Sequence, residues 1–112
     1  MVNLAQADES FPPIFIVSGG AGALGKHVIR IALSQFPDVT PPIVVVPQVS
    51  RPDQLPAVIE QVAERRGTIV HTMVDPAMRA ALERAAAERG IVTIDTIGGP
   101  LARLAEIFGR EP

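Results

Sequence analysis

The chain has 112 residues, 47% hydrophobic and 20% charged, with a formal net charge of −2; this is the make-up of one domain with a packed core, and it argues against nucleic acid, whose phosphates call for a basic face. There is no cysteine, which excludes disulfides, thiol nucleophiles and thiolate metal sites, and neither His27 nor His71 sits in a ligand spacing, so no metal site is expected. No apolar run is long enough to span a bilayer, and the start of the chain lacks the pattern of a signal peptide, so a cytoplasmic protein with no membrane partner is expected.

Residues 1–12 read as a flexible N-terminal arm and 13–112 as a single α/β domain. The first strand is Ile14 to Val17, followed by Ser18-Gly19-Gly20-Ala21-Gly22 and a helix from Gly22 to Gln35. Leu24, Val28, Ile31, Ala32 and Gln35 fall along one side of that helix, and Pro37 stops it. Ile43-Val44-Val45-Val46 is a β-branched run without alternation, as expected of a parallel strand covered on both faces. Asp53 is the expected cap of the second helix, because it leaves Pro56 in the first turn, where N–H groups are free. Leu55, Val58, Ile59, Val62 and Ala63 then face the core, and Gly67 ends the helix.

The third strand spans Thr68 to Val74, and Asp75-Pro76 is an N-cap with proline at the first helical position. The helix from Pro76 to Arg89 turns Met78, Ala81, Leu82, Ala85 and Ala86 inward and stops at Gly90. A fourth strand, Ile91 to Asp95 or Thr96, leads through Gly98-Gly99-Pro100 into a last helix with Leu101, Leu104, Ala105 and Phe108 on one side. Four alternations of strand and helix predict a three-layer Rossmann-like (flavodoxin-like) fold. Its four-stranded parallel sheet has the order 2-1-3-4, with helices on both faces. The ligand crevice of such a sheet lies beyond the carboxyl ends of strands one and three.

Two motifs overlap in the glycine loop, and neither is complete. Gly20-x-Gly22-x-x-Gly25 follows a strand and opens a helix, as a dinucleotide fingerprint does, but no acid ends the second strand. Gly20-x4-Gly25-Lys26 resembles a P-loop, but His27 stands where a magnesium-binding hydroxyl belongs. A tight turn with close backbone approach explains the same glycines without a ligand. The candidate binding residues are Ser18, Gly19, Gly20, Gly22, Gly25 and Lys26, with Thr72 and Asp75 opposite. Ser18 and Asp75 serve equally as caps, His71 as a hydrogen-bonded strand residue, and Asp95 as a cap of the Gly98-Gly99 turn. Glu83-Arg84 and Arg65-Arg66 read as solvated helix faces. No nucleophile–base–acid set is visible, so no catalytic residue is assigned.

The stretch from Thr72-Met73-Val74-Asp75-Pro76 through Gly90 and Asp95 to Gly99-Pro100-Leu101, together with Ala32 to Pro37 and Val49 to Leu55, resembles the N-terminal domain of the bifunctional kinase–pyrophosphorylase family. These are the regulatory proteins of pyruvate, phosphate dikinase and phosphoenolpyruvate synthase. The resemblance implies a second domain that holds the P-loop, phosphorylates a dikinase threonine with ADP and removes the group with phosphate. It therefore implies the N-terminal half only, either an excised domain or a standalone relative: a regulatory or ligand-sensing domain, not catalytic alone. Within a longer chain it would belong to a serine/threonine kinase and pyrophosphorylase, a transferase. The expected partner is a dikinase or phosphoenolpyruvate synthase; the expected ligand is ADP or phosphate, with NAD ranked behind them.

Where the family carries Ser-Asp-Ser-Thr-Gly-Glu-Thr, this chain has Ser18 to Leu24, and only Ser18 and Gly22 match. Whatever those side chains bound would depend here on backbone N–H groups and Lys26, while Thr72 and Asp75 keep the family pattern. Two other functions remain open: a nucleotide- or phosphate-binding module using loop 19–26, and a domain that dimerises through the strand-four edge and the last helix (Leu101, Leu104, Ile107, Phe108).

Overall fold

Four short β-branched or apolar runs pair side by side in one parallel sheet, ordered as the sequence predicts, 2-1-3-4. The computed structural model describes residues 8–112; of the expected N-terminal arm, residues 1–7 lie outside the described residues. The elements are β1 (Ile14–Val17), α1 (Ala23–Leu33), β2 (Ile43–Val46), a 3-10 turn (Pro52–Gln54), α2 (Leu55–Glu64), β3 (Thr68–His71), α3 (Pro76–Glu88), β4 (Thr93–Asp95) and α4 (Gly98–Phe108). Asp8 N–H donates to Thr40 O at 2.6 Å, which ties the start of the described chain to the loop before β2.

Side-chain alternation along the strands divides the core in two. Phe15, Val17 and Ile69 point to one face and pack with Val58, Ile59 and Val62 of α2 and Met78, Leu82 and Ala86 of α3. Ile16 and Val70 point to the other face, where Ile29 of α1 covers them.

The inner side of α1 differs from the expected one. Gly25, Ile29 and Leu33 face the sheet, at intervals of four, while Leu24 and Ile31 are 52% and 57% exposed. A Cβ on Gly25 would lie 2.8 Å from Ile16 Cγ2, so the helix comes closest to the sheet where it has no side chain. Gly22, at φ 86°, is the N-cap rather than the first helical residue. Asp53 does not cap α2; it sits in the 3-10 turn. Gln54 stands at the N-cap position of α2 without a side-chain cap bond; its side chain closes the 3-10 turn instead, with Oε1 accepting from Ser50 N–H and Arg51 N–H, both at 2.8 Å, and Nε2 donating to Gln48 O at 2.9 Å. A longer side chain reaches back over the turn that Pro52 opens.

The left-handed residue after α2 is Arg66 (φ 55°), not Gly67. Gly67 is required by packing, since a Cβ there would lie 2.6 Å from the Phe15 ring. β3 ends at His71, short of Val74, because Met73 N–H turns to the His71 ring at 3.2 Å. β4 starts at Thr93, because Ile91 N–H is taken by Ala86 O at 2.9 Å and closes α3. In α4 no residue is buried: Leu101 and Ala105 are half-buried, while Leu104 and Phe108 are exposed, so its expected apolar side is largely open.

Candidate functional site

The loops leaving the carboxyl ends of β1 and β3 enclose a cleft of about 480 Å3. One wall is Ser18, Gly19 and Gly20; the other is Thr72, Met73, Val74 and Asp75, with Met78 from α3 and Val49 and Ser50 from the loop after β2. The first wall is rigidly held. Ser18 Oγ accepts from Gly20 N–H at 3.0 Å, Val49 N–H donates to Ser18 O at 2.9 Å, and Gln48 N–H donates to Gly20 O at 2.9 Å. The second wall is fixed by Asp75, whose Oδ2 accepts from Met78 N–H at 2.9 Å and caps α3. The sequence places an N-cap and a helix-starting proline directly after a strand, and this brings Asp75 to the crevice.

The structure brings together Ser18, Gly19, Gly20, Thr72 and Asp75 of the candidate residues, and separates the other three. Gly22 and Gly25 pack under the loop against Val45 and Ile16. Lys26 lines a different groove, between α1 and β2. No lysine, arginine or histidine is among the described residues lining the cleft, and it contains the Asp75 carboxylate. Its chemistry is that of hydroxyls, backbone groups and methionines around one acceptor, which suits a hydrogen-bonding group without negative charge. A phosphate there would meet hydroxyl and N–H donors but no cationic side chain among the described residues.

Behind the second wall lies a polar network the sequence reveals only in part. His71 is fully buried. Its Nδ1 accepts from Met73 N–H, which leaves the proton on Nε2 to donate to a Glu83 carboxylate oxygen at 3.0 Å. Asp95 Oδ1 accepts from Ile97 N–H at 3.0 Å and Gly98 N–H at 2.8 Å, so it caps the turn as expected. Asp95 also pairs with both terminal nitrogens of Arg79, and Arg79 Nη1 donates to Met73 O at 2.9 Å. Glu83 is therefore not simply part of a solvated helix face. The ligand atoms of His71, Glu83 and Asp95 lie within 4.8 Å of one another, but the Asp95 oxygens are engaged by Arg79 and the two N–H groups. The cluster is an ion-paired brace that joins β3, α3, β4 and the start of α4. Arg79 and Glu83 are one helical turn apart on α3; that spacing opposite a strand histidine is the signal that could have found them.

Among the described residues, no helix is long and apolar enough to cross a membrane. A family model described as kinase/pyrophosphorylase matches residues 14–112. Over 104 residues the chain is 44% identical to a protein of Chloroflexus aurantiacus (strain ATCC 29366 / DSM 635 / J-10-fl) that is provisionally named a pyruvate, phosphate dikinase regulatory protein; the match covers 93% of this chain and 37% of that protein. Proteins of the same provisional name are 33% identical over 104 residues in Desulfotalea psychrophila and 32% over 99 residues in Sorangium cellulosum, covering 93% and 88% of this chain. The chain spans little more than a third of the length of these curated relatives, at 37% and 35%.

Proposed function

Because the chain belongs to the kinase/pyrophosphorylase family, we propose that it is a cytoplasmic regulatory, ligand-sensing domain without catalysis of its own, acting as the N-terminal unit, residues 13–112, of a dikinase regulatory protein. Its partner in this reading is a pyruvate, phosphate dikinase or a phosphoenolpyruvate synthase. The observation that carries the reading is the chemistry of the cleft. Ser18 Oγ accepts from Gly20 N–H, and Thr72 and Asp75 line the opposite wall, a hydrogen-bonding set that supports recognition. Asp75 uses one oxygen to cap α3, and its second oxygen is available to a ligand hydroxyl or amide. Met73 and Met78 add an apolar surface that adapts to its occupant. A hydroxyl-bearing loop of the dikinase fits this set.

Calorimetric titration of the chain with a purified dikinase tests it. Saturable binding is expected, weakened about tenfold by Thr72→Val, which removes one hydrogen bond at little steric cost. Absence of binding, or transfer of phosphate from ADP to the dikinase by this chain alone, overturns the proposal.

One observation favours a second reading: Gly19 presents its backbone to the same cleft, while the Gly20 N–H and C=O are taken by Ser18 Oγ and Gln48 N–H. In that reading loop 19–26 takes ADP or phosphate through N–H groups, and a ligand at about 100 times its dissociation constant would add roughly 2.7 kcal/mol, several degrees of melting temperature. The open side of α4, with Leu104, Ile107 and Phe108 on one face, is where a homodimer would form; sedimentation showing only monomer at high concentration would discard the dimer.

A further inference from the structure

A second groove lies away from the cleft at the strand ends. It runs for about 570 Å3 between α1 and the outer edge of β2, a size typical of small-molecule sites. Lys26 and Arg30 line one end. They are four residues apart on α1 and so project on one side of the helix, and neither forms an ion pair among the described residues. The other end is apolar, built from Leu33, Phe36, Pro37 and Pro42. Phe36 is 59% exposed, so its ring is open to an occupant of the groove. From Lys26 to Leu33 the helix advances about 10 Å at its standard rise. Along the groove β2 has β1 on one side only, so its other edge offers unpaired N–H and C=O groups among the described residues.

We propose that this groove is a binding site for a nucleoside monophosphate, with Lys26 and Arg30 on the phosphate and Phe36 and the neighbouring prolines against the base. A paired cationic end selects a dianion. An aromatic platform within reach selects a planar apolar body attached to it. The free strand edge satisfies the polar groups between the two. Inorganic phosphate has no body for Phe36, and a nucleoside has no charge for Lys26 and Arg30. The site is separate from the cleft at Ser18 and Asp75 and stands or falls independently of the reading given to that cleft.

The test is a titration of the isotope-labelled chain with AMP, adenosine and inorganic phosphate, followed by amide chemical shifts. Saturable shifts with AMP are expected at residues 26–36 and 43–45, with adenosine and phosphate each binding at least about tenfold more weakly. The double variant Lys26→Gln/Arg30→Gln should lose about tenfold or more in AMP affinity, and Phe36→Ala should weaken AMP without altering phosphate. Neither change touches a buried side chain, so folding is preserved, and the spectrum itself reports that. No shifts at millimolar AMP overturn the proposal. So do shifts centred on residues 18–20 and 72–75, equal affinity for AMP and phosphate, or an unaltered double variant.

Discussion

Gly25 lacks a side chain because Ile16 occupies the space that one would need. Alanine there gains helix propensity of about 1 kcal/mol over glycine, but its Cβ would stand 2.8 Å from Ile16 Cγ2 in the middle of the sheet. Overpacking of a fixed core costs about 1–3 kcal/mol, so Gly25→Ala is expected to lower stability in urea unfolding. Gly20 is the contrast: a Cβ would meet only Ser18 Oγ, at 4.0 Å, and Gly20→Ala should leave stability unchanged while narrowing the cleft. Asp95 gives the residue scale its pH dependence. Burial by itself pushes its carboxyl up, but the hydrogen bonds from Arg79, Ile97 N–H and Gly98 N–H outweigh it and hold the group below its ordinary value. A carboxyl lowered by folding stabilises the protein fully above the unfolded value of about 3.9, and that stabilisation drains away as pH falls through the lowered folded value. Asp95→Asn should therefore be less stable than the parent at neutral pH, and the difference should shrink on acidification. Asp8, also lowered, is exposed and common to both chains, so it cancels from the comparison. Equal acid sensitivity of parent and variant in urea melts across that range would show that Asp95 contributes nothing.

At the scale of elements, the brace at the top of β3 and β4 decides how α3 and α4 are held. Arg79 and Asp95 are about one-fifth exposed, so their pair is screened less than a surface pair and is joined by backbone hydrogen bonds on both partners. A double-mutant cycle of Arg79→Met and Asp95→Asn is expected to give a coupling of about 1 kcal/mol, above the few tenths usual for an exposed pair. Asp75→Ala should cost about 1 kcal/mol through loss of the α3 cap, a change readable by helical circular dichroism during unfolding. The sheet order was legible because four strand-forming runs alternate with helices, and right-handed crossovers leave few ways to arrange them. Half of the cleft was legible for the same reason: Ser18 and Thr72 each follow a strand, and the two strands are neighbours. The facing of α1 was not legible. A count of apolar side chains gives weight to Leu24 and Ile31 and none to Gly25, yet the glycine sets the closest approach. Turning the helix by that one position carries Lys26 away from the glycine loop and into the α1–β2 groove. Arg79 and Glu83 escaped for a different reason. Charges on an amphipathic helix read as solvated until the distance to His71 and Asp95 is known.

Across the whole molecule the packing is uneven, and stability should follow it. Phe15, Val17, Ile69, Val70 and Leu82 are wholly inaccessible, in the two central strands and the helix laid over them. α4 contributes no buried residue, and its attachment to the rest runs chiefly through the Asp95 cap at its first turn and the half-buried Leu101 and Ala105. On the other side of the sheet from α2 and α3, Val92 and Ile94 remain 65% and 45% exposed, because α1 covers β1, β2 and Val70 of β3 but leaves the strand-four side open. Local opening free energies range from near zero to the global value according to how many buried contacts a segment breaks. Amides of β1 and β3 should therefore exchange only through global unfolding, and those of the last turns of α4 through local fraying orders of magnitude faster. Side-chain truncation should reproduce the gradient. Leu82→Ala is expected to cost about 3 kcal/mol, as for a buried leucine whose site collapses only partly, whereas Leu104→Ala, 46% exposed in the free domain, should stay within about 0.5 kcal/mol. Hydrogen exchange at low protein concentration and paired urea melts of the two variants measure this directly. Slow exchange in α4, or a cost at Leu104 comparable to that at Leu82, would mean that the helix is covered in solution by another copy or another surface. Exposed as it is in the single chain, α4 can gain such protection only from outside, so dependence of its exchange rate on protein concentration would distinguish a second copy from any other cover.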